Sequence, residues 1–156
     1  MNLMDQIFIQ QASPDQAERL TSIAFAAKAY WGYPRRWMEL WRPQLTVTAE
    51  YIEENESWIA FAGEIPIGFY TVQEKNGTAW IENLWVLPDF IGKGIGKLLF
   101  SHAVELSRQR GYKILQLEAD PNAAGFYEKM GMKKIGERIS AVESLPRRLP
   151  IMELEL

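Results

Sequence analysis

Three glycines at alternate positions, Gly92, Gly94 and Gly96, separate an apolar segment from an amphipathic one. Glycine is unfavourable inside helices and strands, so its repetition here indicates a backbone that a ligand approaches closely. A glycine turn between a strand and a helix can bind an anion, because the free amides of the first helical turn point outward and the helix dipole adds about half a positive charge. The spacing therefore predicts a phosphate-binding turn.

Two common phosphate-binding motifs do not match this turn. A Walker A loop would need a glycine at Ile91 and a hydroxyl side chain at Leu98. A Rossmann fingerprint would need its third glycine at Lys97 or Leu99. These mismatches disfavour ATP and NAD as ligands.

The stretch VLPDFIGKGIGKLL, Val86 to Leu99, resembles the pyrophosphate loop of the GNAT acetyltransferase superfamily, in which Val-x-Pro precedes Arg/Gln-x-x-Gly-x-Gly/Ala. Ile91 stands where that family usually has Arg or Gln. A second block, EADPNAAGFYEKMGM from Glu118 to Met132, resembles the family's segment that presents Phe-Tyr before Lys-x-Gly. The stretches AAKAYWGYP and SLPRRLPIM are similar to an Asp-Pro-Asn-Ala subgroup of unassigned substrate, and the whole resemblance covers Ile7 to Leu156.

The resemblance implies that acetyl-CoA is the cofactor and that it lies in a cleft between the strand segments Leu84 to Val86 and Ile114 to Ala119. Loop amides would hold its pyrophosphate, and the first of these segments would pair with its pantetheine arm. The implied cofactor-binding residues are Leu84, Trp85, Val86, Gly92, Lys93, Gly94, Ile95, Gly96, Lys97 and Asn122. Relatives often have asparagine where this chain has Asp120, so either Asp120 or Asn122 is a candidate contact.

Acetyl transfer to an amine needs a base that leaves the amine neutral and an acid that protonates or stabilises the departing thiolate. By resemblance, Glu82 in IENLWV is the candidate base, acting directly or through water, and Tyr127 is the candidate proton donor. The alternatives are a solvated carboxylate or an ion pair with Arg35 or Arg36 for Glu82, and a half-buried packing role for Tyr127. Because the chain has neither cysteine nor a Gly-x-Ser-x-Gly elbow, direct transfer without a covalent enzyme intermediate is expected.

Two further groups of residues have competing interpretations. The only histidine, His102, falls with Glu105 and Gln109 on the polar side of a predicted helix, so we expect it to be solvent-exposed rather than catalytic. A set of four aromatic side chains either packs in a helical core layer or lines a substrate pocket. Its members are Tyr30, Trp31, Trp37 and Trp41.

The elements that must position these groups follow from hydrophobic periodicity, caps and turns. The predicted strands cover residues 6–11, 58–61, 67–73, 79–87, 113–119, 133–138 and 150–156, and the predicted helices cover residues 13–29, 34–41, 48–52, 95–106 and 122–130. Asn76-Gly77 is a strong hairpin signal. The order predicts an α/β (α+β) fold with a mixed sheet rather than a doubly wound one. The resemblance implies its GNAT-like form, a mostly antiparallel central sheet of about six to seven strands flanked by helices on both faces.

Composition limits the possible functions of the chain. A length of 156 residues, 47% hydrophobic and 24% charged, predicts one domain covering residues 1–156, and the resemblance implies that it is an acetyltransferase domain. The absence of cysteine excludes disulfides and thiolate chemistry, and with a single histidine no metal site is expected. A net charge of −3 argues against a nucleic-acid partner. Without a signal peptide or an apolar span, we expect a cytoplasmic protein with no membrane partner.

The predicted function is therefore that of an N-acetyltransferase that moves the acetyl group of acetyl-CoA directly to an amine of a small molecule or peptide. The alternative is a non-catalytic acyl-CoA-binding sensor or dimerisation module. A homodimer is the candidate assembly, since dimers are the commonest oligomers.

Overall fold

The computed structural model describes residues 3–156. Its main elements are β1 (Ile7–Gln11), α1 (Ala17–Ala29), α2 (Arg35–Leu45), α3 (Ala49–Glu54), β2 (Glu56–Ala62), β3 (Ile65–Lys75), β4 (Thr78–Val86), α4 (Ile95–Gln109), β5 (Ile114–Glu118), α5 (Ala124–Lys129), β6 (Lys133–Val142) and β7 (Leu145–Glu155). Short 3-10 turns cover Leu3–Gln6, Pro14–Gln16, Pro88–Phe90 and Pro121–Ala123.

The strands form one seven-stranded sheet in the order β1-β2-β3-β4-β5-β7-β6. β4 and β5 pair in parallel, whereas β1 with β2, β2 with β3, β5 with β7 and β6 with β7 pair antiparallel. This arrangement confirms the predicted fold class, a mixed and mostly antiparallel sheet with helices.

The chain forms two compact units. The first unit contains the chain up to Val72 together with Asn83–His102, and the second unit contains Gln73–Glu82 together with Ala103–Leu156.

Local capping explains where the helices of the first unit begin. The Ser13 amide donates to Gln16 Oε1 at 2.8 Å, so the turn that precedes α1 is closed by a capping box with proline at its first position. Thr48 Oγ1 accepts from the Tyr51 amide at 3.0 Å and caps α3. These are the caps that the sequence predicts.

A glycine in β3 brings three segments of the first unit close together. A Cβ at Gly68 would lie 2.8 Å from the Trp85 carbonyl oxygen and 3.1 Å from Leu99 Cδ1. The distance to the backbone oxygen is too short for any side chain, and Leu99 would also have to shift, so β3 must carry glycine where the end of β4 and the start of α4 approach it. The Leu87 amide adds a 2.8 Å hydrogen bond to the Ile67 carbonyl and fixes the end of β4.

The second unit is built on β5 and on the long hairpin of β6 and β7. The β4–β5 pairing covers three residue pairs and ends at Ile81 and Leu117. β6 and β7 are longer than the sequence predicts, because their turn contains Glu143 and Ser144 at φ +51° and +66°. Residues with a Cβ seldom adopt positive φ, and this turn contains no glycine. The sequence therefore gives no indication that a hairpin turn lies here.

Candidate functional site

The predicted phosphate turn lies in the first unit, between the end of β4 and the start of α4. Gly92 and Gly94 both have φ +81°, a conformation that favours glycine. A Cβ at either position would meet no protein atom within 4 Å. The backbone conformation therefore requires glycine here, and open space remains beside the backbone where a ligand can approach.

The amides of this turn are available to an anion. The Ile91 amide donates to the Pro88 carbonyl at 3.2 Å, and the Leu98 amide donates to the Gly94 carbonyl at 3.0 Å. The hydrogen-bonded turn at residues 91–94 leads into α4, whose first bond is donated by Leu98, so the amides of the first helical turn have no partner within the helix. This first turn begins the 15-residue helix α4, where the helix dipole favours negative charge.

The side chains near the turn are only partly buried. Leu84, Trp85 and Val86 at the end of β4 are half-buried, and Lys93 and Lys97 are exposed. Lys93 Nζ lies 5.6 Å from the centroid of the Phe90 ring. The predicted cofactor-binding residues from Leu84 to Lys97 thus lie along one short stretch of chain, in which Ile95 alone is fully buried.

A polar chain holds the tryptophan at the end of β4. Asn83 Nδ2 donates to Tyr51 Oη at 3.0 Å, and Asn83 Oδ1 accepts from Trp85 Nε1 at 3.0 Å. The amide of Asn83 therefore fixes the orientation of the Trp85 ring relative to α3. The sequence pattern gives no signal for this chain, because its members come from separate elements.

The expectation that His102 is solvent-exposed is wrong. The side chain is half-buried, its Nδ1 lies 2.7 Å from Tyr70 Oη, and its ring lies 4.8 Å from the Trp58 ring, measured between centroids. Burial lowers the pKa of His102, and the Glu56 carboxylate opposes that shift. His102 is thus a neutral packing residue at physiological pH, and its position on the polar side of α4 did not reveal its partner in β3.

The aromatic group matches neither of its two interpretations completely. Trp41 is buried, whereas Tyr30 and Trp31 are 51% and 40% exposed, so the rings form neither one core layer nor an enclosed pocket. Lys28 Nζ lies 5.0 Å from the Tyr33 centroid and 4.7 Å from the Trp41 centroid. A cation of the chain itself therefore occupies the cation–π position of this cluster.

Glu82, the candidate base, lies in the second unit on β4. Its side chain is 38% exposed, and its Oε2 lies 3.4 Å from Lys75 Nζ. The Lys75 ammonium also lies 4.5 Å from the centroid of the Trp80 ring. Glu82 thus forms a surface ion pair with Lys75, whereas the sequence suggested Arg35 or Arg36 as its partner. Such surface contacts are worth about 1 kcal/mol or less.

Asp120 and Asn122, the alternative cofactor contacts, bond to each other. Asp120 Oδ1 accepts from the Asn122 backbone amide at 2.9 Å and from Asn122 Nδ2 at 3.0 Å. Asp120 therefore caps the 3-10 turn Pro121–Ala123, a role that the Asp-Pro order could have indicated. The other oxygen, Oδ2, lies 3.6 Å from Arg147 Nη2, a contact that the sequence did not reveal.

Tyr127, the candidate proton donor, lies on α5 in the second unit and is 7% exposed. Its ring makes an edge-on contact with Phe126, with centroids 5.0 Å apart. Burial raises the pKa of the Tyr127 hydroxyl, and the Asp120 carboxylate raises it further. The phenol therefore keeps its proton at neutral pH, as a proton donor must.

The described part of the chain gives no sign of a metal or membrane site. Residues 3–156 contain no group of three or more His, Cys, Asp or Glu side chains that could bind a metal ion. Within the same residues, every helix is too short or too polar to cross a lipid bilayer.

A glycine turn between a strand and a helix on a mixed sheet is the arrangement described above, and comparison with known proteins shows the family of the chain. The model of the acetyltransferase (GNAT) family matches residues 18–132. The chain is 31% identical over 109 residues to the peptidyl-lysine N-acetyltransferase YjaB of Salmonella typhimurium, covering 69% of this chain and 70% of that protein. Alignments span 63% to 70% of the lengths of three curated relatives, this one included. The chain therefore belongs to the GNAT acetyltransferase family.

Solved structures share the fold at low sequence identity. The PaiA N-acetyltransferase of Thermoplasma acidophilum, solved with coenzyme A, is 23% identical with a TM-score of 0.74, covering 96% of this chain and 99% of that one. A GNAT acetyltransferase of Elizabethkingia anophelis, solved with acetyl-CoA, is 18% identical with a TM-score of 0.69, covering 97% and 99%. The family match confirms the predicted family of acetyltransferases, and the solved structures confirm the predicted fold.

Proposed function

We propose that the chain is one acetyltransferase domain, residues 1–156, that transfers the acetyl group of acetyl-CoA directly to an amine of a small molecule or peptide. The observation that carries this proposal is the start of α4, whose first-turn amides have no partner within the helix, beside glycines whose φ is +81°. When bound, acetyl-CoA supplies the acetyl group as a thioester. Two structural neighbours, solved with coenzyme A and with acetyl-CoA, support this choice of donor.

The residues of the turn fit a diphosphate. Backbone amides bind anionic oxygens by charge-assisted hydrogen bonds and need no particular side chain, so Ile91 in place of Arg or Gln leaves the main donors intact. The exposed ammonium groups of Lys93 and Lys97 are placed to screen the phosphates. The half-buried end of β4, residues 84–86, is the proposed partner of the pantetheine arm, and Asn122 is a further proposed contact.

Two side chains of the second unit are proposed to move protons. Glu82 carries an exposed carboxylate that can accept the proton of the attacking amine, directly or through water. Tyr127 holds a proton on its hydroxyl and is proposed to donate it to the thiolate that leaves. The chain has no cysteine to carry the acetyl group, which supports direct transfer.

The exposure of Tyr30 and Trp31 supports a peptide amine over an enclosed metabolite, because these rings leave one side open to solvent. The relative named for peptidyl-lysine acetylation points the same way. The net charge of −3 argues against a nucleic-acid partner. We further propose a cytoplasmic homodimer with no membrane partner.

Release of free thiol from acetyl-CoA tests this function. Because the chain contains no cysteine, a thiol reagent reports only coenzyme A and gives no protein background. The purified protein is mixed with acetyl-CoA and a panel of lysine peptides, free protein N-termini and small amines, and acetylated products are identified by mass spectrometry. We expect thiol release that depends on at least one amine. Tight binding of acetyl-CoA without release for any amine would instead favour the non-catalytic sensor.

A further inference from the structure

Arg147 and Asp120 form an ion pair that is largely removed from solvent. Arg147 Nη2 lies 3.6 Å from Asp120 Oδ2, and the two side chains are 13% and 7% exposed. The neighbouring Arg148 pairs with Glu137 at 3.2 Å but is 73% exposed. Exposed pairs contribute little, whereas removing one partner of a buried pair leaves a charge in a poorly solvated place. Loss of Arg147 is therefore expected to disturb the structure more than loss of the adjacent Arg148.

The pair connects β7 with the segment that leads to Tyr127. One oxygen of Asp120 faces Arg147 on β7, and the other accepts from the Asn122 amide and closes the turn Pro121–Ala123. α5 begins at the next residue and carries Tyr127 on its first turn and a half. The Ala119 amide donates to the Pro150 carbonyl at 2.8 Å and fixes the start of the same segment on β7.

The pair also controls the charge beside the tyrosine. The Asp120 carboxylate acts on the Tyr127 hydroxyl, and the Arg147 guanidinium neutralises that carboxylate. Without Arg147, the carboxylate would remain in a poorly solvated place without the guanidinium that faces it. Loss of the guanidinium would thus disturb both the position of α5 and the electrostatic surroundings of the phenol.

We propose that Arg147 is a positioning residue for Tyr127, acting through Asp120 and the turn Pro121–Ala123. This proposal rests on the proposed function of Tyr127 as the proton donor.

The first test compares Arg147→Met with Arg148→Met, which removes an adjacent guanidinium that is mostly exposed. We expect Arg147→Met to lower kcat by about tenfold while the KM for acetyl-CoA changes by less than about threefold, since the turn at residues 92–97 is untouched and Asn122 is only one of the proposed cofactor contacts. Arg148→Met should keep kcat within about twofold of the wild-type value. Arg147→Lys, which retains the charge but not the guanidinium geometry, should recover part of the loss.

The second test separates positioning from general structural damage. If Arg147 acts through Tyr127, Arg147→Met should have almost no further effect on kcat in a Tyr127→Phe background. A merely structural role would lower kcat by the same factor in both backgrounds. If Arg147→Met does not fold, the Asp120→Asn Arg147→Met double variant takes its place, because it removes both charges of the pair together.

The outcomes distinguish this proposal from the function on which it rests. If Tyr127→Phe is slow and Arg147→Met lowers kcat equally with and without Tyr127, the positioning role is wrong while the donor role stands. An unchanged kcat for Arg147→Met would likewise show that the positioning role is wrong while the donor role stands. If Tyr127→Phe turns over as fast as the wild-type enzyme, the donor role is wrong and the positioning role is lost with it.

Discussion

The turn at residues 91–97 and the segment at residues 118–127 are proposed to serve the same reaction by different physical means. The turn offers backbone amides, which two glycines at φ +81° expose, and it tolerates Ile91 where a polar side chain is usual in the family. The segment depends on individual side chains, since Asp120 and Tyr127 each contribute one group and Arg147, on β7, pairs with Asp120. Binding through backbone amides therefore depends on the backbone conformation, whereas a site made of side chains depends on which residues are present.

The largest expected effect breaks the backbone site by conformation alone. Gly94→Val places a β-branched residue at φ +81°, so the turn must rearrange and its amides lose their common direction. Loss of two charge-assisted hydrogen bonds of about 2 kcal/mol each corresponds to a roughly 1,000-fold weaker Kd for coenzyme A. Isothermal titration calorimetry measures this change.

Gly63→Val is the matched control for that substitution. Gly63 lies in the hairpin turn of the same unit at φ +61°, and a Cβ there also meets no protein atom within 4 Å. It should lose a similar amount of stability, about 1–2 kcal/mol, and keep its affinity for coenzyme A. Equal loss of affinity in both variants would show that the effect comes from destabilisation rather than from the turn.

Tyr127→Phe tests the side-chain site by identity alone. We expect kcat to fall by about 100-fold, near the lower end for a general acid because a thiolate is a good leaving group. The affinity for coenzyme A should change little, and Tyr112→Phe, a half-buried tyrosine of the same unit, should behave as wild type. A Tyr127→Phe enzyme with the kcat of the wild type would exclude this hydroxyl as the donor.

The pH dependence of kcat sharpens the same point. Burial raises the pKa of Tyr127 above its ordinary value of 10.0, so the protonated donor persists as the pH increases to that value. Activity should therefore show no alkaline loss attributable to this group below about pH 10. A decline that begins near neutral pH and disappears in Tyr127→Phe would contradict the buried, protonated phenol.

A smaller effect is expected for Glu82→Gln, which should lower kcat/KM about tenfold if the carboxylate accepts the proton of the amine. Lys75→Met removes the ion-pair partner, 3.4 Å away, and leaves the carboxylate in place. Steady-state kinetics should therefore separate the two variants. Equal losses in both would assign the effect to the ion pair rather than to proton transfer.

The smallest effect concerns His102 and the stability of the first unit. Its folded pKa lies below the unfolded value of 6.5, so its contribution to stability is present above that value and is lost as the pH falls through the folded pKa. Thermal unfolding at pH 8 and pH 5 should show an acid-dependent loss of Tm that is larger, by about 2 °C or less, in the wild type than in His102→Asn. An identical loss in both proteins would contradict the neutral, partly buried imidazole.

The two regions also differ in how far the sequence predicts them. The turn was predicted because its determinants are local: a strand end, glycines at fixed spacing, and an amphipathic helix. The contact between Arg147 and Asp120 was not predicted, because it depends on the pairing of β5 with β7, and no local pattern encodes that register. The contact of His102 with Tyr70 was missed for the same reason, since helix periodicity describes one face of α4 but not the strand beneath it.

The extent of β6 and β7 shows a further limit of local signals. Asn76-Gly77 predicted its hairpin because both residues tolerate positive φ, and the structure gives them φ +53° and +79°. Glu143 and Ser144 make the other hairpin without glycine, so the strands on either side of it were predicted too short. A hairpin turn can thus be predicted from the sequence where its residues prefer the turn conformation. It cannot be predicted where strand pairing imposes that conformation on other residues.

A crystal structure of the protein with acetyl-CoA tests the central claim most directly. We predict diphosphate oxygens about 2.7–3.2 Å from amide nitrogens of residues 92–97, with the glycines still at positive φ. A diphosphate bound elsewhere, or a turn whose amides face away from it, would contradict the account.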